Sequence, residues 1–234
     1  MARTEAFASA NESCLTTSTD VTSGPSSNGA QASCDAETSG PNDAEARASG
    51  EDADATSDAS DGSEAQATAK GEDADATSNA SDGSDAETTA KGEHADATAE
   101  AGGPGGSMAV SSAKGDDADA TTEASGGSDA EATAKGDDAN ATAEAEGPAG
   151  SEAISSAKGN HSSAVAEAAN GRNAQATASG TGSEAEAFAL EAKSNVTALA
   201  TKGSTAIGSD TAAPICTPKK GGKAKVTSPM GNCG

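Results

Sequence analysis

The chain has 234 residues, with 38 Asp and Glu against 14 Lys and Arg, for a formal net charge of −24 at pH 7. It has no Trp or Tyr and only 13 Leu, Ile, Val and Phe in all. That excludes an ordinary aliphatic core, makes a poor nucleic-acid binder because phosphates are repelled, and by composition alone suits an acidic disordered chain.

Residues 1–28 read as a degenerate N-terminal cap. The opening Met1–Phe7 has no continuous apolar core, so no signal peptide is recognised there. No later segment approaches the ~18 apolar residues of a membrane span. Cys14 and Cys34 stand 20 residues apart, close to one repeat, which makes them candidates for stacking and bridging. With Cys216 and Cys233 they form an even set that permits two disulfides and favours an oxidising, secreted or cell-surface setting.

From residue 29 to residue 212 the chain repeats. A Lys-Gly step recurs at Lys70-Gly71, Lys91-Gly92, Lys114-Gly115, Lys135-Gly136, Lys158-Gly159 and Lys202-Gly203, with glycine spacings of 21, 23, 21, 23 and then 44, the last split by Gly180 into 21 and 23. After each glycine, small residues alternate with polar ones: Ala95, Ala97, Ala99 and Ala101 against His94, Asp96, Thr98 and Glu100. A second alternating run precedes the next glycine, as in Ala130, Ala132 and Ala134 against Asp129, Glu131, Thr133 and Lys135. Period 2 predicts strands with one small-residue face and one polar face, not helices. Turn residues separate the runs, and the longer Gly102–Gly106 and Gly147–Gly150 turns account for the 23-residue units.

One such unit cannot fold alone. A buried CH₂-sized group contributes about 0.8 kcal/mol, while ordering one residue's backbone costs about 1–2 kcal/mol. Stacked units share a continuous alanine core and pair each strand with its equivalent in the next coil. The expected fold is therefore an all-β, flat, two-sheet β-solenoid of about eight coils at ~4.8 Å per coil. A largely disordered acidic low-complexity chain is the alternative.

Stacking turns sequence periods into columns. Asp73, Asp117 and Asp138 share one with His94 and His161, and Asp75, Asp96 and Asp119 share another. Stacked carboxylates repel one another. The lysine column beside the glycines is expected to compensate them in part, and weak calcium binding through these aspartates is a further expectation. Thr56, Thr77, Thr98, Thr121 and Thr142 form one outward hydroxyl column, and Thr68, Thr89, Thr133 and Thr177 form a second on the opposite face. Such arrays can order water, which makes ice binding an alternative function, although flanking charges oppose it.

At the C-terminal end larger residues enter: Phe188, Leu190, Val196, Leu199 and Ile207. They suggest a plugged end. The segment Asn195–Ala212 resembles the head repeats of trimeric autotransporter adhesins, in its A-x-A-x-K-G-S-T-A-I-G run. That resemblance implies a β-roll exposed on a cell surface and an adhesive role. The alanine core and threonine columns resemble, in general style, insect silk-like β-helical antifreeze proteins. Residues 213–234 break the pattern and form a basic tail, Lys219–Lys225, flanked by Cys216 and Cys233.

No catalytic motif stands out. His94 and His161 lie in a column otherwise filled by Asp, and neither a P-loop nor a zinc-type Cys/His cluster occurs. The expectation is a non-catalytic structural or surface-adhesive repeat protein acting through an extended acidic surface. It has no cofactor beyond possible calcium, and its partner is a surface or matrix ligand or a copy of itself in a homo-oligomer. A disordered acidic polyelectrolyte that solvates or binds mineral is the rival expectation.

Overall fold

The computed structural model describes the chain from residue 43 to residue 189 except at residues 63, 105, 128, 148–150 and 170–172, with separate strand segments on either side. Side chains are described for residues 43–188, with those same exceptions, and for 197–199. All elements are strands. Two parallel sheets stack as a β-solenoid of about 7 turns, with about 21 residues per coil. The described residues thus form the β-solenoid that the repeat predicts.

One sheet has ten strands and the other nine, and successive strands of the chain alternate between them. Asp52–Ser60, Asp73–Ala80, His94–Gly102, Asp117–Ser125, Asn140–Glu146 and Ser163–Ala169 lie in the ten-stranded sheet. Glu64–Lys70, Asp85–Lys91, Met108–Lys114, Asp129–Lys135, Glu152–Lys158 and Asn173–Ser179 lie in the nine-stranded sheet. Each strand pairs in parallel with its equivalent one coil away, so Ala97 stands over Ala76 and under Ala120. The register never slips a residue, because a one-residue slip would turn every alanine to solvent.

The core is a double layer of methyl groups. Ala55, Ala67, Ala97, Ala132, Ala143 and Ala166 are among the inward alanines, each at most 1% exposed. Hydroxyls punctuate this layer. Ser57, Ser78, Thr88 and Thr122 are fully buried. Their hydroxyls donate across the core to carbonyls of the opposing sheet: Ser57 to Ala44 at 2.8 Å, Ser78 to Glu87 at 2.8 Å, Thr88 to Thr98 at 2.9 Å and Thr122 to Glu131 at 3.0 Å. Ser111 Oγ also lies 2.5 Å from Thr122 Oγ1. A buried hydroxyl is costly unless bonded, and these bonds satisfy it while tying the sheets together.

The Lys-Gly step forms a seam along one edge. The glycine N–H donates to the carbonyl one coil on: Gly71 to Lys91 at 3.0 Å, Gly92 to Lys114 at 3.1 Å, Gly115 to Lys135 at 3.0 Å and, where lysine gives way to serine, Gly159 to Ser179 at 3.0 Å. At Gly71 a Cβ would meet the Glu51 and Gly50 carbonyl oxygens at 2.6 Å. Close backbone approach, more than bending, therefore demands glycine there. The opposite edge turns through Asp61-Gly62 and Asp82-Gly83, whose φ values of 62°, 81°, 57° and 85° are all left-handed. Asp tolerates that region and Gly favours it.

Two of the expected plug residues lie outside the core. Phe188 pairs with Glu167 and Leu199 with Thr177, on outward columns, and both are half-buried. The inward position at Ala198 remains alanine, while the backbone of Val196 pairs with that of the inward Ala174. Side chains as large as Phe and Leu overpack sheets spaced for methyl groups, so these two go outside. The side chains of Leu190, Val196 and Ile207 lie outside the described residues. So do those of Cys14, Cys34, Cys216 and Cys233, and with them the disulfide reading. Their backbones lie opposite Ala6, Ala55, Ala198 and Val226 respectively.

Candidate functional site

The six ten-stranded-sheet strands from Asp52 to Ala169 point 13 carboxylates outward and no Lys or Arg. The six nine-stranded-sheet strands from Ala44 to Lys158 point seven carboxylates and six Lys or Arg outward. One repeat thus makes two electrically different faces. The cause is the lysine at the last position of five of these six strands, Lys70, Lys91, Lys114, Lys135 and Lys158, with Arg47 in the sixth.

The expected columns are in register. Asp52, Asp73, His94 and Asp117 are stacked partners, as are Asp54, Asp75, Asp96, Asp119 and Asn140. Asp138 lies just outside its strand, with its carboxylate 3.7 Å from His161. Thr56, Thr77, Thr98, Thr121 and Thr142 stack on the ten-stranded face. Thr68 and Thr89 stack on the other face, where Ser112 and Ser156 flank Thr133 ahead of Thr177. All the threonines of both columns are half-buried.

Adjacent coils place like charges about 5 Å apart, so each carboxylate column works against itself. Neutral or cationic donors interrupt the columns. Asn79 Nδ2 donates to Asp58 at 2.7 Å and Asn140 Nδ2 to Asp119 at 2.8 Å. His94 lies between two acids, 2.9 Å from Asp73 and 3.4 Å from Asp117. The hydrogen bond to Asp73 raises its pKa above the ordinary imidazole value, reinforced by both neighbouring charges. Asp96 is uninterrupted, and burial followed by the Asp119 and Asp75 charges pushes its carboxyl up.

One column lines a groove that sequence reasoning did not single out. A concavity of about 920 Å³ runs along the far ends of the ten-stranded-sheet strands. Its wall is the stacked series Asp58, Asn79, Glu100, Glu123, Glu144 and Glu167, and alanine and serine line much of the rest. Burial, then Glu123 and Glu167, raise the Glu144 pKa. The signal was present in the sequence: each of these residues stands eight positions after its unit's glycine.

The lysine column forms no ion pair with the acids around the turn among the described residues. Among the described residues the ion pairs are Arg47 with Glu45 and the two histidines with their aspartates, and none involves lysine. Lys70, Lys91, Lys114, Lys135 and Lys158 are exposed. Among the described residues no group of three His, Cys, Asp or Glu side chains is arranged to hold a metal ion, and no helix is long and apolar enough to cross a membrane.

Fold and surface together define a repetitive acidic β-solenoid. No protein-family model matches the chain, and neither a curated protein nor a solved structure matches it.

Proposed function

We propose that this is a non-catalytic structural and surface-adhesive solenoid that works through its ten-stranded face. The observation that carries the reading is the sorting of charge: 13 carboxylates without a Lys or Arg on one flat face, in columns held at fixed spacing. A rigid array of one sign presents many charges at once to a cationic surface or matrix and has already met the ordering cost that a flexible polyanion meets on binding. The adhesin-head resemblance of Asn195–Ala212 points the same way.

The test is retention on an aminated surface as salt is raised. The folded chain should stay bound to roughly twice the ionic strength that releases a core-broken Ala97→Asp variant, because screening acts equally on both and only the array differs. Equal release would show that charge alone, without the face, accounts for adhesion.

Ice binding is the second reading, supported by the five threonines in unbroken register on a parallel sheet. Carboxylates flank that column on both sides, at Asp96 and Glu100 for instance, and would disrupt an ice-like water layer. Absence of ice-crystal shaping by the purified chain would remove this reading.

A further inference from the structure

We propose that the protein assembles with copies of itself, the exposed lysine column of one slab seating along the acidic groove of the next. The inference rests on the reading of the ten-stranded face as a contact surface and names a second copy of this chain as one partner for it.

The two columns are matched in pitch. Glu100, Glu123, Glu144 and Glu167 stack strand on strand in the ten-stranded sheet. Lys91, Lys114, Lys135 and Lys158 stack strand on strand in the nine-stranded sheet. Both belong to one solenoid and share its coil rise, so a ladder of ammonium groups meets a ladder of carboxylates without drifting out of phase. An unrelated cationic chain has no such match. A fully extended lysine-rich strand, for example, presents same-side charges every ~6.6 Å rather than every ~4.8 Å.

Each column is under like-charge stress that the other relieves. Glu144 holds its proton more tightly because of Glu123 and Glu167 as well as burial. The lysines have no carboxylate partner among the described residues and are exposed. The columns lie on opposite faces and at opposite edges, lysine at the Lys-Gly seam and glutamate at the far ends of the strands, which lead into turns such as Gly102–Gly106 and Gly126-Gly127. One slab cannot satisfy both internally.

Position also limits repulsion. On the strand side the neighbour of the lysine column is neutral, Thr89, Ser112, Thr133 and Ser156, and the carboxylates of Glu87 and Glu131 lie one column further in. Across the glycine the exposed Glu93, Asp116 and Asp137 follow, so a contact shifted toward the strand side brings the cationic and hydroxyl strip over the groove and leaves those acids at its rim. The two patches differ, so the contact is heterologous: each added slab brings a further groove and lysine column, and repetition of the contact gives a ring or an open filament.

Salt dependence follows from the large net charge. In very dilute salt the long-range repulsion between chains of charge −24 wins. Near about 0.1 M the Debye length falls to ~10 Å, which screens that repulsion more than it screens close pairs. Near about 1 M it falls to ~3 Å and the pairs themselves weaken. Sedimentation velocity of the full chain should show weight-average mass rising and then falling across this range. The variant Lys91→Glu/Lys114→Glu/Lys135→Glu/Lys158→Glu should remain monomeric throughout, as should Glu100→Lys/Glu123→Lys/Glu144→Lys/Glu167→Lys. An equimolar mixture of the two should associate again.

Carbodiimide coupling of wild-type chains, half of them isotopically labelled, needs no variant. It should give cross-links between labelled and unlabelled copies that join the lysine column to the groove glutamates. A wild type that is monomeric at every salt concentration, an association unchanged in the lysine variant, or intermolecular cross-links confined to other sites would overturn the proposal. The adhesive reading is scored separately, because the lysine variant keeps the acidic face and should still be retained on the aminated surface.

Discussion

The two faces of the slab share a repeat, a core and a hydrogen-bond register, yet differ in almost every outward property. The ten-stranded face is acidic in its strands from Asp52 to Ala169, and the one ionisable base on those strands is His94, held between Asp73 and Asp117. The nine-stranded face alternates signs and carries the half-buried Val110 and Ile154 and the exposed Met108. The contrast teaches that a core of methyl groups imposes no demand on the outside. Outward side chains are free to carry charge wherever the columns can bear it. Where they bear it badly, asparagine, glutamine or histidine bonds to a neighbouring acid. Gln66, 2.6 Å from Glu64 and 3.3 Å from Glu87, does this on the mixed face.

The largest expected effect erases the contrast by destroying the core. Ala120→Asp places a charge at a site 1% exposed between the sheets, and an uncompensated buried charge costs about 3–5 kcal/mol. Far-UV circular dichroism should lose its strand signal. Thr121→Asp, one residue on and facing outward, should change stability by no more than about 1 kcal/mol. Equal losses from both would mean that inside and outside are not distinct.

Next comes the seam that joins the faces. Gly71→Ala drives a Cβ against two carbonyls of the preceding coil, and such overpacking costs about 1–3 kcal/mol. The urea midpoint should fall, and hydrogen exchange should quicken at the flanking strands of both sheets. Confinement of the damage to one sheet would sharpen the comparison by showing that the faces unfold separately.

A smaller effect distinguishes the faces directly. Replacing Glu100, Glu123, Glu144 and Glu167 with Gln removes stacked like charges and should raise stability by about 1 kcal/mol, after allowance for the weakness of exposed pairs. Replacing Lys91, Lys114, Lys135 and Lys158 with Gln also lifts a like-charge column, but it increases the net negative charge. It should leave the melting temperature the same or lower. A gain of the same size from both sets would dissolve the electrostatic distinction.

The smallest effect is with pH. His94, Asp96 and Glu144 all hold protons more tightly in the folded chain. A raised folded-state pKa means that the native state binds more protons, so stability rises as pH falls. The histidine contribution is complete below about pH 6.5 and lost as pH rises through its higher folded value; the carboxyl contributions are complete only near pH 4. Melting temperature should therefore climb from pH 8 to about pH 4, and His94→Asn should flatten the upper part of that climb. Ordinary acid destabilisation over this range would contradict the cause assigned to these shifts.

Much of this was legible in the chain. Alternation of Ala95, Ala97, Ala99 and Ala101 with polar neighbours defines a strand and its inner face, because strand geometry has a period of two whatever surrounds it. The columns of Asp and Thr follow once coils are counted by glycine. The groove glutamates obey the same count, eight positions after each glycine, but that this column lines a concavity depends on how the coils and their turns stack. Thr88 is a similar case: its neighbour Thr89 sits in an outward column, and only the inward register places Thr88 against the carbonyl of Thr98.

By itself the sequence determined the repeat length, the identity of the inner faces and the rule that coils must stack, since these depend on local periodicity and on a core too thin to stand as one unit. Only the tertiary structure decided the rest. It showed that glycine is required by a neighbouring carbonyl, that buried hydroxyls cross-tie the sheets, that Phe188 and Leu199 stay outside, and that the stacked lysines share one face with acids while the strands from Asp52 to Ala169 on the other face carry no Lys or Arg. Each of these depends on distances between residues a coil apart or across the core, and stacking alone sets those distances.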